Sequence, residues 1–133
     1  IVAYDLALRP NLEQISRMLK KAFKKFTNLS GLIFHSDQGW QYQHKYFRRT
    51  LKEHGIIQSM SRKGNCYDNS VMETFFGRLK TEIYYGFERE YSSFNAFALA
   101  IEEYINYYNN RRIQKKTKWM PPVKYREASM CLG

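Results

Sequence analysis

Two carboxylates near the middle of the chain have the residue types and neighbours that metal-assisted chemistry requires. Asp37 comes at the end of a short apolar run and precedes Gln38 and Gly39. Glu73 lies in a segment with helical periodicity, and 35 residues separate it from Asp37. Carboxylate oxygens suit Mg²⁺ and Mn²⁺, and two such ions ~3.5–4 Å apart can activate an attacking oxygen and stabilise a leaving one. The pair therefore indicates a metal site for phosphodiester chemistry.

Both carboxylates also have ordinary structural interpretations. An Asp shortly before a Gly is common in turns. The tetrapeptide Ser70–Glu73 fits a capping box, in which Glu73 would only bond a backbone N–H at the start of its helix. The spacing of one Asp and one Glu does not decide between these interpretations and a catalytic site.

Polar and basic residues on both sides of Glu73 are candidates for contact with DNA. Lys80 follows Glu73 by seven residues, which is two helical turns on the same face, and a solvated helix lysine is the alternative. Asn69 lies one turn before Glu73 and could hold DNA or water. Arg62 and Lys63 lie on a polar, glycine-bearing loop before this helix, where phosphate contact is plausible.

The charge of the whole chain favours a polyanionic partner. It has 22 basic and 12 acidic residues, a net charge of +10 and a pI of about 9.7. Such an excess favours nucleic acid by neutralisation and counterion release, although some basic proteins are merely soluble. Five of the eight residues from Arg111 to Lys118 are basic, and Arg111 and Arg112 are candidate DNA contacts.

Hydrophobic periodicity predicts an α/β chain. Short apolar runs predict strands at 1–4, 32–37 and 56–59. Helical patterns predict helices from an Asn11 cap to about residue 26, over 43–54, from 68–70 to about 84, and from 92–93 to about 110. A strand–helix–strand order favours parallel pairing, and ligand sites of parallel sheets lie at the carboxyl ends of strands, where Asp37 is placed. Pro121 and Pro122 are expected to break regular structure.

The remaining composition excludes several classes of protein. Cys66 and Cys131 are far apart and form no CxxC pair, so neither a zinc site nor a disulfide is predicted. No apolar run approaches the ~18 residues of a membrane span. We therefore expect a cytoplasmic protein with no membrane partner and no small-molecule substrate.

Three motifs together resemble transposases of bacterial insertion sequences that have a retroviral-integrase-like catalytic core. They are HSDQG at 35–39, YDNSVMETFFGRLK at 67–80 and INYYNNRRIQKKTKWMPPVKY at 105–125. Their order and spacing agree with that family over nearly the whole chain. The resemblance implies an RNase H-like fold, with a mixed sheet flanked by helices and followed by C-terminal helices.

The resemblance also implies an Asp–Asp–Glu triad in which Asp37 is the second Asp, Glu73 the Glu, and Lys80 the basic residue seven positions later. It implies two Mg²⁺ (or Mn²⁺) ions, hydrolytic release of a DNA 3′-OH, and transfer of that end into target DNA without a covalent protein–DNA intermediate. The implied partners are element ends, target DNA and further copies of the chain. The implied location is the bacterial cytoplasm, at the nucleoid.

The chain departs from the family pattern at its start. Residues 1–5 look like the third strand of the fold and its end, so Asp5 is a poor candidate for the first Asp of the triad. We expect an N-terminally truncated core over 1–112, followed by a basic, Pro-containing tail over 113–133, and no activity from this fragment alone. The alternatives are a non-catalytic DNA-binding or regulatory remnant, and an RNase H-like nuclease without strand transfer.

Overall fold

The computed structural model describes residues 1–131, apart from the side chain of Cys66. The chain divides into two compact units, residues 2–74 and residues 75 onward together with Ile1. The first unit contains both candidate carboxylates. Its elements are, in order, α1 (Leu12–Lys25), β1 (Ile33–Ser36), a single turn α2 (Trp40–Gln43), α3 (Lys45–Glu53), β2 (Ile57–Met60), a 3₁₀ turn (Cys66–Asn69) and the start of α4 (Ser70–Ile83).

Strands β1 and β2 form a parallel pair, with Ile33 opposite Ile57 and Ser36 opposite Met60. The two strands were predicted correctly. Helices α2 and α3 connect them, which gives the crossover that parallel pairing requires. The resemblance implied a mixed sheet. The described residues contain one part of such a sheet, this parallel pair.

The predicted strand at residues 1–4 is wrong, because the structure leaves these residues outside regular structure. A β-favouring sequence becomes a strand only when a neighbour accepts its backbone hydrogen bonds. Instead, side chains of α1 bind this segment. Lys25 donates to the Val2 carbonyl at 2.7 Å, and Lys21 to the Tyr4 carbonyl at 3.1 Å.

Helix α1 has an apolar stripe that packs into the core of the first unit. Asn11 caps it as predicted, since its side chain accepts from the Gln14 N–H at 2.7 Å. The stripe packs into the core of the first unit, which is completed by α3 and by the residue before β2. The buried members of this core are Ile15, Leu19, Phe47, Leu51 and Ile56.

The second unit is helical in the residues described. It contains most of α4, then α5 (Phe94–Asn110) and α6 (Pro122–Met130), with single 3₁₀ turns at Glu88–Glu90 and Lys115–Thr117. Ser93 caps α5, as its side chain accepts from the Ala96 N–H. The core of the unit comes from α4 and α5, whose buried side chains are Phe75, Leu79, Ile101, Tyr104 and Ile105.

The prediction that Pro121 and Pro122 break regular structure is wrong. Pro122 is the first residue of α6, where its missing N–H would have had no partner within the helix and its fixed φ suits helical geometry. The prolines therefore begin a helix inside the segment expected to be a tail.

None of the helices described is long and apolar enough to cross a membrane. Cys131 is an exposed free thiol, whereas the prediction for the Cys66 side chain lies outside the described residues.

Candidate active site

Asp37 lies directly after β1, at the carboxyl end of the parallel pair. Its Oδ1 accepts a hydrogen bond from the Gly39 N–H at 2.8 Å, which fixes the carboxylate over the turn into α2. A Cβ at Gly39 would lie 3.0 Å from this Oδ1 and 3.1 Å from the Gln41 Oε1. Gly39 has an ordinary negative φ of −51°, so any benefit of glycine here comes from the space that it leaves for the Asp37 carboxylate and not from backbone freedom.

His35, two residues before Asp37, forms hydrogen bonds that connect β1 to the end of β2 and to the residue after it. Its Nδ1 is 2.9 Å from the Ser59 hydroxyl, and its Nε2 is 3.1 Å from the Ser61 hydroxyl. The Ser61 N–H donates to the Ser36 carbonyl at 2.8 Å, and Gln38 Nε2 donates to the Ser61 carbonyl at 3.1 Å. Because Ser61 is buried, these bonds fix the start of the loop that follows β2.

Glu73 is the fourth residue of α4 and is exposed. The capping-box alternative fails, because Ser70 has helical angles (φ −58°, ψ −30°) and follows a 3₁₀ turn that Asn65 caps by accepting from the Tyr67 N–H. Among the described residues Glu73 has no hydrogen bond or ion pair, so its carboxylate has no structural role that would compete with a ligand.

One cleft of about 360 Å³ brings the two carboxylates to the same place. Asp37 and Gln38 line one part of it, residues 61–65 line another, and Asn69 and Glu73 complete it. All of these residues belong to the first unit. Nearby, burial raises the pKa of the Tyr42 phenol, and the negative charge of Asp37 raises it further.

Arg62 and Asp68 close the loop between β2 and α4. Asp68 accepts from the Arg62 backbone N–H at 2.9 Å and from Nε and Nη2 of the same residue at 3.1 and 3.0 Å. These bonds and the guanidinium charge hold the pKa of Asp68 at about 2. Asp68 therefore binds the loop and caps no helix, whereas Asn65 caps the 3₁₀ turn.

The three residues of the first unit that were predicted to contact DNA differ in whether they already have a partner within the chain. Lys63 and Asn69 line the cleft, and Lys63 has no ion pair among the described residues. Arg62 also lines the cleft, but its guanidinium already binds Asp68.

The remaining predicted contacts lie in the second unit. Lys80 is exposed on α4, two turns after Glu73 in the same continuous helix, with no ion pair in the part of the chain described. Arg111 is exposed. Arg112 is bound within its own unit, since it donates to Glu82 at 2.5 Å and its side chain is only 17% exposed.

Asp5 has a structural role, because its carboxylate binds two basic side chains of α1. Its side chain, 7% exposed, accepts two hydrogen bonds from Arg17 at 3.0 and 2.7 Å and one from Lys21 at 2.9 Å. Burial alone would raise the pKa of Asp5, but the hydrogen bonds and charges of Arg17 and Lys21 outweigh burial and lower it. Asp5 does not line the cleft.

The cleft offers oxygen donors of the kind that Mg²⁺ and Mn²⁺ bind, namely two carboxylates beside the amides of Gln38, Asn65 and Asn69. Over the described residues, no three His, Cys, Asp or Glu side chains are placed to bind one ion. The residues therefore fit part of the oxygen shell that such ions require, and no complete ligand set is present among the described residues.

Sequence reasoning did not identify several residues that shape the cleft. Gln38, Ser61, Gly64 and Asn65 line it but carry no charge and match no metal-ligand spacing. The sequence feature that could have identified them is their position, next to Asp37 or on the loop before Glu73.

The chain is similar to known proteins over most of its length. Two family models, both described as integrase core domain, match residues 1–66 and 73–130. An uncharacterized transposase-like protein of Haemophilus influenzae is 54% identical over 98% of this chain and 59% of its own length. The InsK protein for insertion sequence element IS150 of Escherichia coli K12 is 48% identical over 95% of this chain and 44% of its own length.

A transposase for insertion sequence element IS904 of Lactococcus lactis is 34% identical over 94% of this chain and 49% of its own length. The chain thus spans about half the length of these relatives. A solved simian T-cell lymphotropic virus intasome, in complex with a PP2A regulatory subunit, matches 81% of this chain and 37% of that chain with a TM-score of 0.62 at 18% identity. This likeness shows the RNase H-like fold of an integrase core.

The integrase-core family is metal-dependent and acts on DNA. These matches and the fold show that the chain belongs to the integrase-core family, in which it is related to the transposases of bacterial insertion sequences.

Proposed function

We propose that this chain supplies part of the active site of a transposase that cuts and joins DNA strands. The observation that carries the proposal is the convergence of Asp37 and Glu73 on one cleft, with no structural partner for Glu73 in the described residues. An exposed Glu that neither caps a helix nor forms an ion pair is available as a ligand, and the chain belongs to a family that acts on DNA.

Each residue at the cleft has a distinct role in the proposal. Asp37 and Glu73 hold the metal, Gly39 leaves room for the Asp37 carboxylate, and Lys63 neutralises a phosphate at the mouth of the cleft. When bound, two Mg²⁺ (or Mn²⁺) ions supply Lewis-acid stabilisation of charge on the phosphate oxygens. Lys80, two turns from Glu73 on the same helix, contacts the DNA backbone.

The proposed reaction has two balanced steps without a protein–DNA bond. In the first, a water oxygen bonds to the phosphorus at the element end, the bond from phosphorus to the 3′ oxygen breaks, and that oxygen leaves as a 3′-OH. In the second, the oxygen of this 3′-OH loses its proton and bonds to a phosphorus of target DNA, while the bond from that phosphorus to the target 3′ oxygen breaks and this oxygen leaves, protonated, as a new 3′-OH. Both steps are displacements at phosphorus, so one set of ligands serves them.

The partners and location are part of the same proposal. The DNA partners are the element ends and the target, and the protein works in the bacterial cytoplasm at the nucleoid.

The protein also assembles with further copies of itself in this proposal. Ile33 and Ile57, opposite each other on the paired strands, are 63% and 56% exposed in this chain and suit such a contact. Light scattering that shows a monomer at all concentrations would contradict the assembly.

The test is a cleavage and joining assay on the full-length gene product with labelled element-end DNA and a target plasmid. Asp37→Asn and Glu73→Gln should each lower both steps by about 100-fold or more, because each removes a metal ligand. Glu13→Gln, at a highly exposed carboxylate on α1, is the matched control and should leave both steps unchanged. Equal activity of all variants would overturn the proposal.

A second candidate is a non-catalytic remnant that binds DNA or assembles with intact transposase. The incomplete ligand set among the described residues favours it. It predicts DNA binding with neither cleavage nor joining, whereas cleavage without joining would indicate a nuclease of this fold.

A further inference from the structure

A second surface outside the cleft has the chemistry of a DNA-binding site. The segment from Gln114 to Met120, here named the Trp119 loop, has the sequence QKKTKWM and contains three lysines and no acidic residue. Lys115, Lys116 and Lys118 are all exposed and form no ion pair among the described residues. None of the residues assigned to the cleft belongs to this loop.

The loop is closed on itself by hydrogen bonds. The Trp119 N–H donates to the Gln114 carbonyl at 2.9 Å, and the Met120 N–H donates to the Thr117 carbonyl at 3.0 Å. The Thr117 hydroxyl is 3.1 Å from the Gln114 carbonyl and 2.5 Å from the Met120 carbonyl. Gln114 and Met120 also pair as an antiparallel bridge. These bonds hold the backbone of the seven-residue loop in one conformation.

Two consecutive residues of the loop adopt left-handed backbone angles. Lys118 has φ 51° and Trp119 has φ 62°, a region that residues with a Cβ rarely occupy. Such residues persist where the surrounding structure enforces them, and they concentrate at functional sites.

The conformation leaves Trp119 outside the core. Its side chain is 65% exposed and contacts no other ring among the described residues. A large aromatic face held in water beside three unpaired lysines matches the pairing of base stacking with phosphate neutralisation that single-stranded nucleic acid requires.

We infer that the Trp119 loop binds a single DNA strand, with Trp119 stacked on an unpaired base and the lysines on the neighbouring phosphates. The identity of the nucleic acid as DNA rests on the proposed function, whereas the loop itself is independent of the cleft carboxylates. A duplex keeps its bases stacked on one another, so the tryptophan face should favour a strand with exposed bases.

The test is fluorescence anisotropy with a labelled mixed-sequence oligonucleotide, the 133-residue chain and EDTA, which makes the result independent of metal chemistry. Trp119→Ala should weaken binding about 5- to 150-fold, the range expected for loss of one stacked base, and Trp119→Phe less than about threefold. Leu99→Ala, at an apolar side chain 62% exposed on α5, is the matched control and should have no effect.

Replacing Lys115, Lys116 and Lys118 together by Gln should reduce the slope of log affinity against log salt by about two, at about 0.7 per phosphate contact on a single strand. The same change at Lys20, Lys24 and Lys52, exposed on α1 and α3, is the control and should reduce the slope less.

Three outcomes would overturn the inference: unchanged affinity of Trp119→Ala, an equal loss on duplex and single-stranded probes, or Trp119-dependent binding to phosphatidylserine vesicles and not to DNA. Asp37→Asn should bind the oligonucleotide normally. Loss of strand joining in the full-length gene product with Asp37→Asn, together with intact oligonucleotide binding by the 133-residue chain with the same change, therefore separates the proposed function from this inference.

Discussion

Asp68 accepts hydrogen bonds from the backbone N–H and from the guanidinium of the same residue, Arg62. One carboxylate thereby closes the loop that lines the cleft next to Glu73. In the proposed function, DNA would meet a loop whose conformation is already fixed, which lowers the ordering cost of binding.

The first prediction concerns the titration of Asp68. Its pKa of about 2 in the folded chain is below the ~3.9 of an unfolded Asp. Because the pKa is lowered on folding, the favourable contribution of the ion pair is present above pH ~4 and is lost as the pH falls through about 2. NMR titration of the Asp68 carboxyl carbon should give a midpoint near 2, and Arg62→Gln should return it towards 4. A midpoint near 4 in the unsubstituted chain would contradict the ion pair.

The second prediction concerns Gly39. In Gly39→Ala, the new Cβ meets the Asp37 Oδ1 at 3.0 Å and the carboxylate must move. DNA cleavage by the full-length gene product should fall by roughly threefold to tenfold, because the carboxylate shifts by a few tenths of an ångström and a full 1 Å misplacement costs about 100-fold. The free energy of unfolding should change by less than about 1 kcal/mol, because the displaced atoms are ends of flexible side chains.

Gly77→Ala is the matched control for this change. Gly77 lies inside α4, and a Cβ there meets nothing within 4 Å. This substitution should raise the free energy of unfolding by about 0.5–1 kcal/mol through helix propensity. Full cleavage activity in Gly39→Ala would show that the Asp37 carboxylate needs no such space.

The third prediction concerns metal binding by the 133-residue chain. Titration of Mn²⁺ by calorimetry should show weak binding or none, because two carboxylates form only part of a two-ion site. Any binding that is seen should be lost in Asp37→Asn and in Glu73→Gln. Tight binding of two ions, sensitive to both substitutions, would show that other residues of the chain complete the ligand set.

Local sequence signals predicted most of the helices and both paired strands. The Asn11 cap, the strand ending before Asp37 and the start of α4 depend on neighbouring residues, whose propensities and patterns are visible in the sequence. The error at Pro122 had a local cause, since a proline ends a helix in one position and begins one in another.

The remaining details depend on contacts between distant residues. Residues 1–4 have the composition of a strand, but pairing decides strand formation and composition does not. The role of Asp68 depends on a partner six residues away across a folded loop, and that of Asp5 on lysine and arginine side chains of α1. For Asp37 and Glu73, only the folded loop could show that both face one cleft.

The last prediction concerns His35, which joins β1 to the cleft loop through Ser59 and Ser61. In His35→Ala, the buried Ser61 hydroxyl loses its partner, at a cost of about 1–3 kcal/mol. The Ser61 N–H, which donates to the Ser36 carbonyl, should then exchange with solvent about 5- to 100-fold faster by NMR. His35→Gln should recover part of the protection, because an amide can bond one of the serines. Unchanged exchange in His35→Ala would show that the bonds of Ser61 to the Ser36 carbonyl and to the Gln38 side chain fix the loop without the imidazole.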